Sequence, residues 1–138
     1  MPNKSFSVKI KHKIKPFSKT IKVDSDKSLS IRSFLLGSIC QNISTVNNVL
    51  ESGDVKSAIK TCQKLGVVIK KIRPKSYKIY GKGLGSLFIK KNAELNFGNS
   101  GTLARLLLGI LSTTPNINIK IKGDHSLNKR SMEKLINL

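Results

Sequence analysis

Three short segments carry the residue types from which a binding site for anions can be built: D-K-S-L-S-I-R (Asp26 to Arg32), G-N-S-G-T-L-A-R (Gly98 to Arg105) and G-D-H-S-L-N-K-R (Gly123 to Arg130). Each sets a short polar turn and a cation beside a helix-like run. A helix that opens on such a turn presents backbone N–H groups without intrahelical partners, and these can donate to phosphate or carboxylate oxygens. Gly101 and Thr102 sit where those N–H groups should point, and Gly101 has no Cβ to hold a ligand off the backbone. The chain contains 22 lysines and only four arginines, yet three of the four, Arg32, Arg105 and Arg130, fall in these segments. Lysine cannot replace the planar, five-donor guanidinium where an oxyanion is gripped by two parallel hydrogen bonds. Arginine kept in a lysine-rich chain therefore marks candidate anion contacts, with a structural ion pair as the alternative for each.

Other chemistries find less support. Cys40 and Cys62 lack C-x-x-C spacing and fall on apolar faces of expected helices, which predicts buried, reduced thiols. His12 and His125 have no partner at metal-ligand spacing, so neither a metal site nor a cofactor is expected. The run G-K-G-L-G-S (Gly81 to Ser86) tempts a nucleotide-loop reading. It is followed by strand-like L-F-I and lacks the lysine-serine ending of a phosphate loop, so a simple turn is expected.

The elements that must position these segments follow from periodicity. Residues 6–15 alternate, with Phe6, Val8, Ile10 and Ile14 on one face and Lys9, Lys11, Lys13 and Lys15 on the other, as in a half-buried strand. A second strand is expected at Lys19 to Val23. A helix follows from about Ser28 to Gln41, capped by Asp26 or Ser28, with Leu29, Phe34, Leu35 and Ile39 on its apolar side. After a strand near Ile43 to Leu50, Ser52 caps a helix with a buried stripe of Val55, Ala58, Ile59, Cys62 and Leu65, ended by Gly66. Strands at Val67 to Ile72 and Tyr77 to Tyr80 flank the turn Arg73-Pro74-Lys75-Ser76. The pattern then restarts: a strand (Leu95 to Phe97), the glycine turn, a helix (Leu103 to Leu111), a strand (Ile117 to Ile121) and a helix beginning near Lys129. One βαβαββ-like unit and most of a second are expected, and the repeat breaks off at Leu138 in mid-helix, as in an incomplete chain.

Composition bounds the partners. The 138 residues amount to about one domain, and 38% hydrophobic content is enough for a modest core. The longest apolar runs are too short to span a bilayer, and the N-terminus has no apolar signal region, so a cytoplasmic protein without a membrane partner is expected. The net charge of +19 raises nucleic-acid binding. Lysine far outnumbers arginine, Ile and Asn are abundant, and aromatics are only 5% with no Trp. That is the mark of an A/T-rich coding bias rather than of a surface that stacks bases, and no nucleic-acid partner is expected. A stand-alone basic module, or a non-functional remnant, is the alternative. A steep loss of binding with salt would identify the module.

Four collinear motifs, D-K-S-x-S-x-R, S-x-D-V-x-x-x-I-x-x-x-x-x-L-G-V, L-x-x-G-N-S-G-T-x-x-R-L-L and G-D-x-S-L-x-K-R-x-M-x-x-L, resemble the N-terminal portion of 5-enolpyruvylshikimate-3-phosphate synthases from about Val23 to Leu138. The resemblance implies an α/β (α+β) fold: the inside-out α/β barrel of enolpyruvyl transferases, built from βαβαββ repeats, of which only the first one to two are present here. It assigns 1–22 to strands of the second domain and 23–138 to an incomplete first domain, with unit one at about 23–93 and unit two at about 94–138. It implies transfer of the enolpyruvyl group of phosphoenolpyruvate to the 5-hydroxyl of shikimate 3-phosphate with release of phosphate, a step of aromatic amino acid (chorismate) biosynthesis, by a protein that is a monomer at full length. By motif position, Lys27 matches a lysine that touches both substrates. Ser28 and Arg32 match shikimate 3-phosphate binders, and Gly101 and Arg130 match phosphoenolpyruvate binders. Asn99 lies in the same loop and Arg105 falls on a family arginine. No catalytic acid or base is expected within these 138 residues, so the isolated chain should be inactive. The sibling enzymes acting on a UDP-sugar fit less well, because their cysteine loop is not visible. Two departures stand out: Asp24-Ser25 where the family usually has proline-glycine, and Ser131 where it usually has proline.

Overall fold

The computed structural model describes residues 24–90 and 93–133, together with positions 7 and 9. Apart from those two positions, the strands expected at 6–15 and 19–23 lie outside the described residues, as does the chain from 134 to Leu138. The elements run α1 (Lys27–Ile39), β1 (Ile43–Val46), α2 (Gly53–Lys64), β2 (Val68–Arg73), β3 (Ser76–Tyr80), β4 (Glu94–Asn96), α3 (Gly101–Leu111), β5 (Lys120–Lys122) and α4 (His125–Asn128). The strands form two sheets. One is antiparallel with order β1-β3-β2, and the other is a parallel pair, β4-β5, in which Leu95 lies opposite Ile121. The order β4-α3-β5-α4 restarts an alternation of strand and helix, as the sequence pattern led one to expect.

Each helix begins on a side-chain cap. Asp26, one of two candidate caps for α1, accepts from Leu29 N at 2.6 Å. Ser52 caps α2, Ser100 caps α3 and Asp124 caps α4, each accepting from the N–H three residues on. Such caps stabilise a helix by about 1 kcal/mol. The glycine loop at 81–83 performs the complementary task at the other end of α1. Lys82 N donates to Ser38 O at 2.8 Å and Gly83 N to Cys40 O at 2.9 Å. The expected turn is there, and it satisfies carbonyls that the end of α1 would otherwise leave open.

The core joins both sheets to the helices. Ile31, Phe34, Val55, Ala58, Leu65, Ile79, Leu95, Phe97 and Leu103 are completely buried. Phe34 meets Tyr77 edge to face, with ring centres 5.3 Å apart. Gly37 lets α1 close on β3, since a Cβ there would stand 2.8 Å from Ile79 Cδ1.

Several expectations need correction. Leu29 is 60% exposed rather than buried. It lies two residues, about 200° of helix, from Ile31, which sets the buried stripe of α1. Cys40 is exposed rather than buried, because α1 ends at Ile39 and Cys40 is its C-cap. Cys62 is buried as expected, and loss of solvent pushes its thiol up to about 11. The strand expected to reach Leu50 stops at Val46, since Asn48 adopts a left-handed φ of 57° and Val49 N turns to bond Lys75 O at 3.0 Å. The strand expected at 117–121 is shorter and later, Lys120–Lys122, because only that stretch pairs with the three residues of β4. Among the described residues a single-turn helix, α4, already starts at His125, ahead of the helix expected near Lys129, and Asp124 caps it.

Candidate functional site

The three long helices all start at one end of the molecule. Ser30 of α1 accepts from Leu50 N, just ahead of α2, at 3.0 Å, and Lys27 Nζ bridges to Asp54 Oδ2 in the first turn of α2 at 2.9 Å. At the far end of α2, Lys64 Nζ donates to Glu94 O, where β4 begins, at 2.9 Å. Strand β4 therefore runs back, and the Gly98 turn beyond it returns to Ser57 of α2, whose Oγ lies 3.2 Å from where a Gly98 Cβ would be. The N-termini of α1, α2 and α3 are thus gathered on one face, with α4 beside them.

The glycine turn is fixed from several sides. Gly98 takes a φ of 56°, and its N–H donates to Asn96 Oδ1 at 2.9 Å. Its carbonyl accepts from Asp124 N at 2.9 Å, which ties the turn that opens α3 to the turn that opens α4. That tie brings Arg130 across. Its Nη2 donates to Asn99 Oδ1 at 2.8 Å, and its Nη1 would stand 2.7 Å from a Cβ on Gly101. Arg130 and the first residue of α3 can be this close only because residue 101 is glycine. A guanidinium and the N-terminal backbone of a helix, side by side, form a surface with several donors converging on one oxyanion.

The other predicted residues stand around this corner. Lys27 is half-exposed and held by Asp54. Asp54 and Ser57 are i, i+3 neighbours on α2, with Cβ atoms roughly 5–6 Å apart in such pairs. Lys27 and the Gly98 turn therefore flank the same face of the first turns of α2. Ser28 is half-buried, and Arg32, one turn further on, lines the groove between α1 and α3 with Leu106. Arg105 is exposed on α3 and is not part of the cluster.

Charge is distributed so that these arginines stay free to act. Three carboxylates bind lysines: Asp54 with Lys27, Glu51 with Lys71 and Glu94 with Lys122. Asp26 and Asp124 cap helices. Among the described residues no carboxylate bridges to Arg32, Arg105 or Arg130. Sequence reasoning missed Asp54 as Lys27's partner and Asn96 as a support of the glycine turn. Asp54 stood within the motif S-x-D-V-x-x-x-I, but nothing local in the sequence pairs it with Lys27.

A family model described as EPSP synthase (3-phosphoshikimate 1-carboxyvinyltransferase) matches residues 11–138. The chain is 44% identical over 117 residues to a 3-phosphoshikimate 1-carboxyvinyltransferase of Oceanobacillus iheyensis, covering 85% of this chain and 27% of that protein. It is 38% identical over 127 residues to the enzyme of that name from Leptospira interrogans, covering 92% of this chain and 29% of that protein. The solved structure of EPSP synthase from Acinetobacter baumannii superposes with a TM-score of 0.76 at 35% identity, over 85% of this chain and 26% of that one. The chain therefore spans little more than a quarter of the length of the relatives it matches. With the family model covering nearly all of it, the chain belongs to the EPSP synthase (3-phosphoshikimate 1-carboxyvinyltransferase) family.

Proposed function

We propose that this chain forms the N-terminal wall of a site that transfers the enolpyruvyl group of phosphoenolpyruvate to the 5-hydroxyl of shikimate 3-phosphate. The observation that carries this reading is the packing of Arg130 on Gly101 and Asn99 at the start of α3. Phosphoenolpyruvate presents a phosphate and a carboxylate, and this corner offers a planar cation and helix-terminal donors to them. Lys27 stands toward both substrates, and Ser28 and Arg32 take shikimate 3-phosphate. The 5-hydroxyl gives up its proton and its oxygen adds to C2 of phosphoenolpyruvate while C3 gains a proton, giving a tetrahedral intermediate. Loss of phosphate from C2 and of a proton from C3 then restores the enol ether. This wall binds and orients the anions, while the proton-transferring groups belong to polypeptide beyond these residues. This reading takes 23–93 and 94–138 as successive units among the first repeats of an inside-out α/β barrel.

The test is an amide-shift titration of the chain with phosphoenolpyruvate. Shifts should concentrate at Gly98 to Leu103 and at Arg130, and Gly101→Ala, by pushing the guanidinium off the helix start, should weaken binding at least tenfold. Equal shifts all over the lysine surface, or no effect of Gly101→Ala, would sink the reading. The isolated chain should release no phosphate from phosphoenolpyruvate with shikimate 3-phosphate.

A further inference from the structure

We infer that Asp124 is a positioning residue: its carboxylate sets Arg130 against Gly101. The inference takes its ligand, phosphoenolpyruvate, from the functional reading above, and the rest from geometry. Arg130 is exposed, and a long guanidinium side chain left to itself samples many rotamers. Its Nη2 reaches Asn99 Oδ1 at 2.8 Å, and its Nη1 lies against Gly101. Both contacts require the backbone of residue 130 to be delivered to one place. That backbone leaves the end of α4, where Arg130 N donates to Leu127 O at 3.0 Å. Helix α4 is only four residues long. A single turn fixes many dihedral angles for few hydrogen bonds, so it does not stand without outside support.

Asp124 gives that support through three groups. Its Oδ1 accepts from Leu127 N at 2.8 Å and starts the turn. Its carbonyl accepts from Asn128 N at 2.9 Å and closes it. Its own N–H donates to Gly98 O at 2.9 Å, fastening the start of α4 to the turn that opens α3. This last bond extends the parallel pairing of β4 and β5, after Phe97 N has donated to Lys122 O at 2.9 Å. The paired chains part at Asp124, one toward Gly101 and the other toward Arg130. Of the three bonds only the first belongs to the side chain, so substitution removes it alone. The capped helices α2 and α3 have 12 and 11 residues and keep later turns when a cap is lost. Helix α4 has no later turn to keep. A carboxylate repels an anion, so the effect of Asp124 on anion binding runs through Arg130.

The test follows the chain by nuclear magnetic resonance in two readouts. One is the nuclear Overhauser contact between the Arg130 guanidinium protons and Gly101 Hα; the other is affinity for phosphoenolpyruvate. Asp124→Ala should lose the contact, lower amide protection at 125–130 while leaving 24–90 protected, and weaken binding about tenfold. Asp124→Asn, an equally good cap without the charge, should restore the contact and bind within about threefold of the parent. Tyr77→Phe, which removes the bond from Tyr77 Oη to Glu51, loosens the other region and should leave both readouts unchanged. The proposal is overturned by a contact that is absent from the parent or survives in Asp124→Ala. It is equally overturned by Asp124→Asn behaving like Asp124→Ala, by loss of the contact in Tyr77→Phe, or by protection lost across 24–90 in Asp124→Ala. Loss of the contact with phosphoenolpyruvate binding unchanged would leave Asp124 as the positioning residue and remove the functional reading instead.

Discussion

Residues 24–90 and residues 93–133 share a strand-and-helix alternation but are held together differently. The first region has a three-stranded sheet under two helices, with strands of up to six residues. It is cross-tied by Glu51, which accepts from Tyr77 Oη at 2.6 Å and Lys75 N at 3.3 Å and bridges to Lys71 at 2.8 Å. The second region has a parallel pair of three-residue strands, one long helix and a single turn of α4. It depends on turns: Gly98 to Asp124, and Asn99 to Arg130. In the proposed function, the first region supplies the rigid body and Lys27, and the second supplies the loops that would grip an anion. Binding loops drawn from the less stable end of a fold are a common arrangement.

The largest effect should come from Phe34→Ala, which empties the centre of the first region at a cost of about 3–5 kcal/mol. Urea unfolding should show the loss, and amide protection should fall in both regions together. Protection surviving in 93–133 would mean that the second region does not lean on the first. Next is Leu127→Ala. Leu127 is 5% exposed and packs against Gly123, so truncation should cost about 2 kcal/mol. Hydrogen exchange should quicken around Gly98 to Arg130 and hardly change in 24–90; a uniform rise would erase the distinction between the regions.

Smaller still is Glu51→Gln. Lys71, then Tyr77, hold the Glu51 carboxyl at about 2 against an ordinary 4.5. A carboxyl lowered on folding stabilises the native state above its unfolded pKa, and the gain is lost as pH falls toward the folded value. The native chain should therefore lose stability between pH 4.5 and about 2, and the variant should lack that part of the slope. Identical acid profiles would show that the cross-tie adds nothing. Arg105→Lys should change least, within about 0.5 kcal/mol, and leave phosphoenolpyruvate shifts intact, because Arg105 is exposed and outside the cluster.

Local signals in the sequence foretold the caps of α1 and α2, the buried stripe of α2 and the glycine turn, because each depends on neighbours within four residues. Lys27, Gly101 and Arg130 were legible as chemistry from residue type and motif. What could not be read was how they meet. The pairing of Lys27 with Asp54 and the packing of Arg130 on Gly101 span 27 and 29 positions; the first depends on how α2 packs on α1, the second on the tie between the turns that open α3 and α4. Leu29 and Cys40 were misplaced for a related reason. Which apolar side of α1 is buried, and where that helix stops, is decided by β3 and the 81–83 loop, not by α1 itself.

The common starting end of α1, α2 and α3 also bears on how fast a ligand arrives. A chain of net charge +19 attracts anions over much of its surface, without choosing a place. Three helices start there, and each brings about half a positive charge to that face. The uniform lysine field would capture a multiply charged anion, and the helix starts would then direct it toward Gly101 and Lys27. Association should therefore slow as salt rises, since the long-range capture is screened. Contacts at the glycine turn, made within hydrogen-bond distance, should keep their selectivity.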